Sequence, residues 1–377
     1  MMKKTLLSLT FIFLSVAAFT QYTVRLVVTN SATKKLEDIY ATGTFNNWNP
    51  NDAGYKLKPF GGTRKAIVLK NVAPGHYEFK FTRGSFEKVE TAANGTEIDN
   101  HIIEVSADTT MEFFIKGWKD DYPDKVKPFT ATEQVSLMDS AFFIPQLNRT
   151  RKIWIYLPKS YNQTKGKAYP VLYMQDGQNL FNERTAAFGE WGIDECLDSL
   201  SNVLHKECIV IGIENGGDKR MTEYNPFDSK YGKGEGAQYV DFLAQTLKPY
   251  IDKQYRTLKD PAHTYIAGSS MGAIISLYAM LKYSNVFGAV GVFSPSFQVV
   301  PQMYDEVQKT KWTTNPRFFF YAGNKESETM VNDMKKMTDL ISTKSKYDIR
   351  EVTFPLGQHN EETWRRYFPE FYRWLVR

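Results

Sequence analysis

From Tyr22 to about Lys116, apolar and polar residues alternate in the short runs YTVRLVVTN, KAIVLKNV, HYEFKFTRG and HIIEVSAD, separated by Gly, Asn and Pro turns. A two-residue period belongs to half-buried strands, so the spacing predicts a small all-β, immunoglobulin-like sandwich over residues 21–116. Residues 117–132, GWKDDYPDKVKPFTAT, are charged, carry two prolines and have no period, which predicts a linker. Beyond them the pattern changes. Continuous apolar runs (KIWIYLP, YPVLYMQD, ECIVIGIEN, TYIAGS, FGAVGVFS, RFFFYAG and DIREVTFP) alternate with amphipathic stretches such as GAQYVDFLAQTLKPYIDKQY, SETMVNDMKKMTDLISTK and NEETWRRYFPEFYRWLVR. Strands that are apolar throughout are buried on both faces, so residues 133–377 are expected to form an α/β domain with a mostly parallel sheet covered by helices.

The first twenty residues follow neither pattern. Lys3 and Lys4 precede an apolar run from Leu6 to Phe19 that ends in small residues. This reads as a secretory signal peptide cleaved after Thr20, and a secreted or periplasmic protein without a membrane anchor is expected. Lys and Arg number 47 against 42 Asp and Glu, scattered without a basic block, so nucleic acid is not an indicated partner. Cys196 and Cys208 are the only cysteines, and neither has metal-ligand company. Each is read as an ordinary core thiol, although a disulfide between them stays open.

Chemistry enters at TYIAGSSMGAIISLYAM, Thr264 to Met280, where a strand pattern runs into a helix pattern through Gly268-Ser269-Ser270-Met271-Gly272. This fits G-x-S-x-G with Ser270 at its centre. At such a corner a hydroxyl is exposed at the carboxyl end of a strand, beside the unpaired N–H groups of a helix start. A serine needs a base, and of five histidines only His359 follows Ser270 in the chain. Eight acids lie between them. Glu326, just past the RFFFYAG strand, is the expected orienting carboxylate, and Glu328 is the alternative. The N–H groups of Met271 and of Gln178, in the turn after YPVLYMQD, are the candidate oxyanion donors. This chemistry requires neither metal nor organic cofactor.

The landmarks VLYMQDGQNLF, RMTEYNPF, GAQYVDFL with KPYID, AGSSMGA, YAGNKES and GQHNEETW, spanning about Ser136 to Arg377, resemble the esterase family of the α/β-hydrolase superfamily. That family includes esterase D, feruloyl and acetylxylan esterases, siderophore esterases and mycolyltransferases. The resemblance implies an α/β-hydrolase fold, a triad of Ser270, Glu326 and His359, and oxyanion donors at Met271 and Gln178. It also places Asp176, Arg220, Glu223 and Tyr224 beside the substrate pocket. The N-terminal segments TGTFNNWNP, YEFKFTRGSFEKVE and IDNHIIEV resemble a starch- or glycogen-binding module, which makes Trp48, Lys80, Phe86 and Asn100 candidate glycan contacts. Phe86 departs from the pattern, since a second tryptophan is usual there. The expected function is therefore an exported serine esterase that removes acyl groups, acetyl or feruloyl, from carbohydrates. The alternatives are a siderophore trilactone esterase and a non-catalytic glycan-binding protein.

Overall fold

The computed structural model describes residues 21–122 and 127–377. The expected signal peptide lies outside the described residues, as does part of the expected linker, 123–126. The chain divides into two compact units at residues 125 and 126.

In the first unit, strands Tyr22–Ser31, Lys58–Pro59, Lys65–Val72 and Thr109–Ile115 form one sheet, and Tyr40–Gly43, Gly75–Thr82 and His101–Val105 form another. The alternation in YTVRLVVTN has the expected effect: Val24, Leu26 and Val28 point inward to meet Ala41, Phe79, Phe81 and Ile103. The boundary at 116 needs correction. Gly117–Trp118 is a short strand paired with Glu90–Thr91, and the Trp118 indole is fully buried, donating to Ser31 Oγ at 2.9 Å under the Arg83 guanidinium. Charged neighbours hid a core tryptophan inside what reads as a linker.

The second unit contains an eight-stranded sheet. Its strands are β1 (Val135–Ile144), β2 (Arg149–Tyr156), β3 (Val171–Gln175), β4 (Ile209–Ile213), β5 (Thr264–Ser269), β6 (Ala289–Phe293), β7 (Arg317–Gly323) and β8 (Asp348–Phe354), in the order β1-β2-β4-β3-β5-β6-β7-β8. β2 runs antiparallel to both its neighbours, and every other pairing is parallel. Burial on both faces explains the unbroken apolar runs: β3 sends Val171 and Tyr173 into one core and Leu172 and Met174 into the other. β1 has no counterpart among the expected strands. It is a half-exposed edge strand whose register shifts break the period-two signal.

Among the helices, α1 (Ile193–Leu204) and α4 (Glu361–Leu375) cover one face of the sheet, while α2 (Met271–Lys282) and α3 (Met330–Ser342) cover the other. α3 does so with Met330, Met334, Met337 and Ile341, a 3.6-residue stripe. α4 starts at Asn360, whose side chain accepts the Thr363 N–H at 3.0 Å. No helix among the described residues is long and apolar enough to cross a membrane. Cys196 and Cys208 are free thiols, each pushed up to about 12 by burial.

Candidate active site

The corner between β5 and α2 is as tight as its sequence implies. Ser270 has φ 57° and ψ −121°, a backbone state that L-residues avoid and that here turns the strand directly into the helix. The flanking glycines answer to space, Gly268 to a backbone clash and Gly272 to a tight side-chain contact. A Cβ on Gly268 would stand 2.6 Å from the Gly272 carbonyl oxygen, and one on Gly272 would stand 3.0 Å from Asp176 Oδ2. The Ser270 N–H is anchored on the Phe293 carbonyl of β6 at 2.9 Å. Ser270 faces a cleft of about 470 Å³ at the carboxyl ends of the strands, which His359, Gln178, Asp176, Arg220 and Phe188 also line. A larger recess of about 640 Å³ opens near the amino ends of the strands, beside Pro170, Tyr265, Ala289 and Arg317, and holds none of the candidate catalytic residues.

Glu326 and His359 meet at 2.8 Å, Oε2 to Nδ1. The Glu326 carboxylate has no exposed surface, whereas the imidazole is one-third exposed. The other carboxylate oxygen, Oε1, accepts Ser294 Oγ at 2.7 Å and the Gly323 N–H at 2.6 Å. A carboxylate with both oxygens engaged is fixed in one orientation and, facing Nδ1, selects the histidine tautomer with its proton there, leaving Nε2 turned to the cleft as the acceptor nitrogen. The competing acid, Glu328, is exposed. Ser270 and His359 share the cleft without a direct hydrogen bond, and the Ser270 hydroxyl lies 3.0 Å from Ser296 Oγ. Such contacts commonly tighten only when substrate is bound.

Gln178 lies in the short turn Gly177–Asn179 at the end of β3, entered through Asp176 at φ 55°. That turn is pressed against β4 so closely that a Cβ on Gly177 would stand 2.6 Å from the Gly212 backbone. Met271 is the first residue of α2, so its N–H belongs to the open helix end beside Ser270.

The four expected pocket residues divide. Asp176 and Arg220 line the cleft and form a bidentate pair at 2.7 and 2.9 Å, and Asn215 Nδ2 also donates to Asp176 at 2.7 Å. Burial disfavours the Arg220 charge, but the Asp176 carboxylate more than compensates and holds the guanidinium above its ordinary value. Glu223 and Tyr224 are corrections, since both are fully buried behind the cleft wall. Glu223 accepts from Arg151 at 2.6 Å and Arg149 at 2.8 Å, while the Tyr224 hydroxyl accepts the Asp176 N–H at 3.3 Å beneath the Arg220 side chain. Both belong to or follow the single helical turn Arg220–Glu223, whose first residue lines the cleft while its last is drawn into the interior by the two arginines of β2.

Three further residues, none of them among the expected site residues, meet the site. Ser294 accepts the Trp364 Nε1–H at 2.8 Å while donating to Glu326, and the Trp364 ring stands edge-on to His359 at 5.2 Å. Glu361, at the first turn of α4, lines the cleft and accepts Asn179 Nδ2 at 3.0 Å. Burial, with Asp176 nearby, raises its carboxyl above the usual range. Ser294 is brought to the Glu326–His359 pair by the adjacent ends of β6 and β7, whereas Glu361 and Trp364 follow His359 within five residues of the chain.

In the first unit, Trp48, Lys80, Phe86 and Asn100 surround one recess of about 480 Å³, together with Glu97 and Tyr122. Phe86 is exposed, the Lys80 ammonium lies 3.2 Å from Glu97, and Asn100 Nδ2 donates to Glu78 at 2.8 Å.

Residues 144–332, half of the chain, match the family described as "Putative esterase". The chain belongs to this family. The match contains Ser270 and Glu326 and stops short of His359. An uncharacterized Bacillus subtilis protein, YbbA, is 30% identical over 156 residues, covering 39% of this chain and 57% of that protein. An endo-1,4-beta-xylanase/feruloyl esterase of Xylanibacter ruminicola is 26% identical over 215 residues, 56% of this chain and 27% of that one. The chain thus spans little more than half of the first relative and about a quarter of the second. Among solved structures, the enterobactin esterase of Shigella flexneri superposes with TM-score 0.55 at 14% identity, covering 94% of this esterase-family chain and 92% of its own. That likeness is one of fold.

Proposed function

We propose that the chain is an exported serine esterase acting on carboxylic esters of carbohydrates, with acetyl or feruloyl groups as the acyl part. The observation that carries this reading is the convergence of Ser270, held at φ 57°, and the buried Glu326–His359 pair on one cleft. In this reading His359 Nε2 takes the Ser270 proton as Oγ attacks the ester carbonyl. The N–H groups of Met271 and Gln178 hold the oxyanion, and Glu326 stabilises the imidazolium. The same histidine returns the proton to the leaving alcohol and then activates water for deacylation.

The carbohydrate part rests on the recess in the first unit. Trp48 and Phe86 offer flat faces to a sugar ring, while Lys80 and Asn100 offer donors to its hydroxyls. The feruloyl esterase part of the Xylanibacter ruminicola relative's name favours the same substrate class. A catecholate trilactone is the second reading, favoured by the fold likeness to the enterobactin esterase over nearly the whole chain. The test is acid release from acetylated xylan fragments, a feruloylated arabinose fragment and a catecholate trilactone, with the Ser270→Ala protein alongside. Serine-dependent release from a sugar ester supports the first reading, and release from the trilactone alone replaces it with the second. No release from any of them contradicts both.

A further inference from the structure

Behind the cleft wall, one group of side chains has more oxygen acceptors than donors. Glu190, Asp194 and Glu195 each offer a carboxylate oxygen, and these three atoms lie within 4.8 Å of one another. Glu190 is 5% exposed and Asp194 is 0% exposed. Each has one oxygen satisfied: Thr130 Oγ1 donates to Glu190 Oε2 at 3.0 Å, and the Thr132 N–H donates to Asp194 Oδ2 at 2.7 Å. The remaining oxygens, Glu190 Oε1, Asp194 Oδ1 and Glu195 Oε2, are sealed from solvent and meet no donor among the described residues. The same is true of Thr132 Oγ1. Arg365 supplies the nearby positive charge at 3.8 Å from Glu190 and 4.0 Å from Glu195, too far for a hydrogen bond and with its own side chain half exposed.

Asp194 and Glu195 stand in the first turn of α1, where acidic residues are ordinary. The helix end explains their presence but leaves the orphaned buried oxygens unexplained, because a buried polar atom left unpaired costs the full desolvation of that group. We infer that Glu190, Asp194 and Glu195 form a structural calcium site, with Thr132 Oγ1 as a fourth donor and water completing the shell. The donor set is all oxygen, without His or Cys, which suits a hard cation. Ligand oxygens at about 2.4 Å from an ion are at most about 4.8 Å apart, and the three carboxylate oxygens lie within that distance of one another. The mixed carboxylate and hydroxyl set suits the irregular shell of calcium better than the rigid octahedron of magnesium. Such an ion ties residues 130–132 to α1 and to Glu190. The next residue, Trp191, stacks on Trp364 at 5.6 Å, so the site braces the side of the cleft that carries His359. The inference is independent of the esterase reading.

The test uses the purified protein, stripped with EDTA and desalted, titrated with calcium chloride by calorimetry and melted with and without calcium. The expected result is one ion per chain and a melting temperature about 5–10 °C higher at a hundredfold excess over Kd. Asp194→Asn and Glu195→Gln each weaken binding at least tenfold. In EDTA, Asp194→Asn melts at or above the wild-type temperature because it removes like-charge repulsion, which also shows that it folds. Wild-type protein that takes up no calcium and melts alike in both conditions overturns the site in favour of a shared proton. Both variants binding as tightly as wild type overturns it by placing the ion elsewhere.

Discussion

Two groups of buried carboxylates in the second unit differ in how they are satisfied. Glu326 is hidden from solvent with both oxygens engaged, by His359 on one side and by Ser294 and the Gly323 N–H on the other. Glu190 and Asp194 are equally hidden, yet each keeps an oxygen without a donor. Burial alone therefore does not tell what a carboxylate is for. A complete set of donors fixes a carboxylate in one orientation, as a histidine partner needs, whereas an incomplete set leaves buried oxygens to be met by an ion, a water or a shared proton.

The largest expected effect breaks the first half of this comparison. Glu326→Gln keeps the shape but presents an amide to His359 and to two donors, so turnover falls about 10³–10⁴-fold while far-UV circular dichroism is unchanged. A variant with more than a tenth of wild-type turnover contradicts the role of Glu326. Next comes Ser294→Ala, which removes a donor from Glu326 and the acceptor of the Trp364 indole. Ser294 acts as a positioning residue, so kcat drops about tenfold with KM unchanged, alongside about 1–3 kcal/mol of lost stability in a denaturant titration. A rise in KM at constant kcat counts against positioning.

The smallest effect concerns Glu361, a cleft carboxyl whose burial raises it above its unfolded value. The folded state then binds its proton more tightly than the unfolded state. The group's stabilising contribution is complete below the unfolded value, near pH 4, and is lost as pH rises through the folded one. Glu361→Gln, permanently neutral, therefore melts above wild type at pH 7 and level with it at pH 4. A variant that melts lower at pH 7 contradicts the direction of the shift.

How much of this is legible in the chain depends on whether a feature is local. The elbow at Ser270 is written in consecutive residues, because both glycines and the serine act on one turn and their spacing states the geometry. His359 and Glu326 are legible by order along the chain and by their places after strands. The two-residue choice between Glu326 and Glu328 depends on where the loop after β7 turns, which only packing decides. Glu223 carries the same motif signal as Arg220 but faces Arg149 and Arg151, partners more than seventy residues away. Ser294 meets Glu326 only through the order of the strands, and Glu190 meets Thr130, sixty residues away, only through packing. Trp118 shows the converse, an apolar anchor hidden among charges. Edge strand β1 had too little burial to impose a period.

Covalent labelling tests most directly whether Ser270 is a nucleophile activated by the Glu326–His359 pair. Wild-type, Ser270→Ala and Glu326→Gln proteins are treated with a fluorophosphonate ester, and the modified peptide is located by mass spectrometry. One adduct is expected, on Ser270, formed far more slowly in Glu326→Gln and absent in Ser270→Ala. Wild-type protein that stays unlabelled, or an adduct that persists in Ser270→Ala, contradicts that role of Ser270.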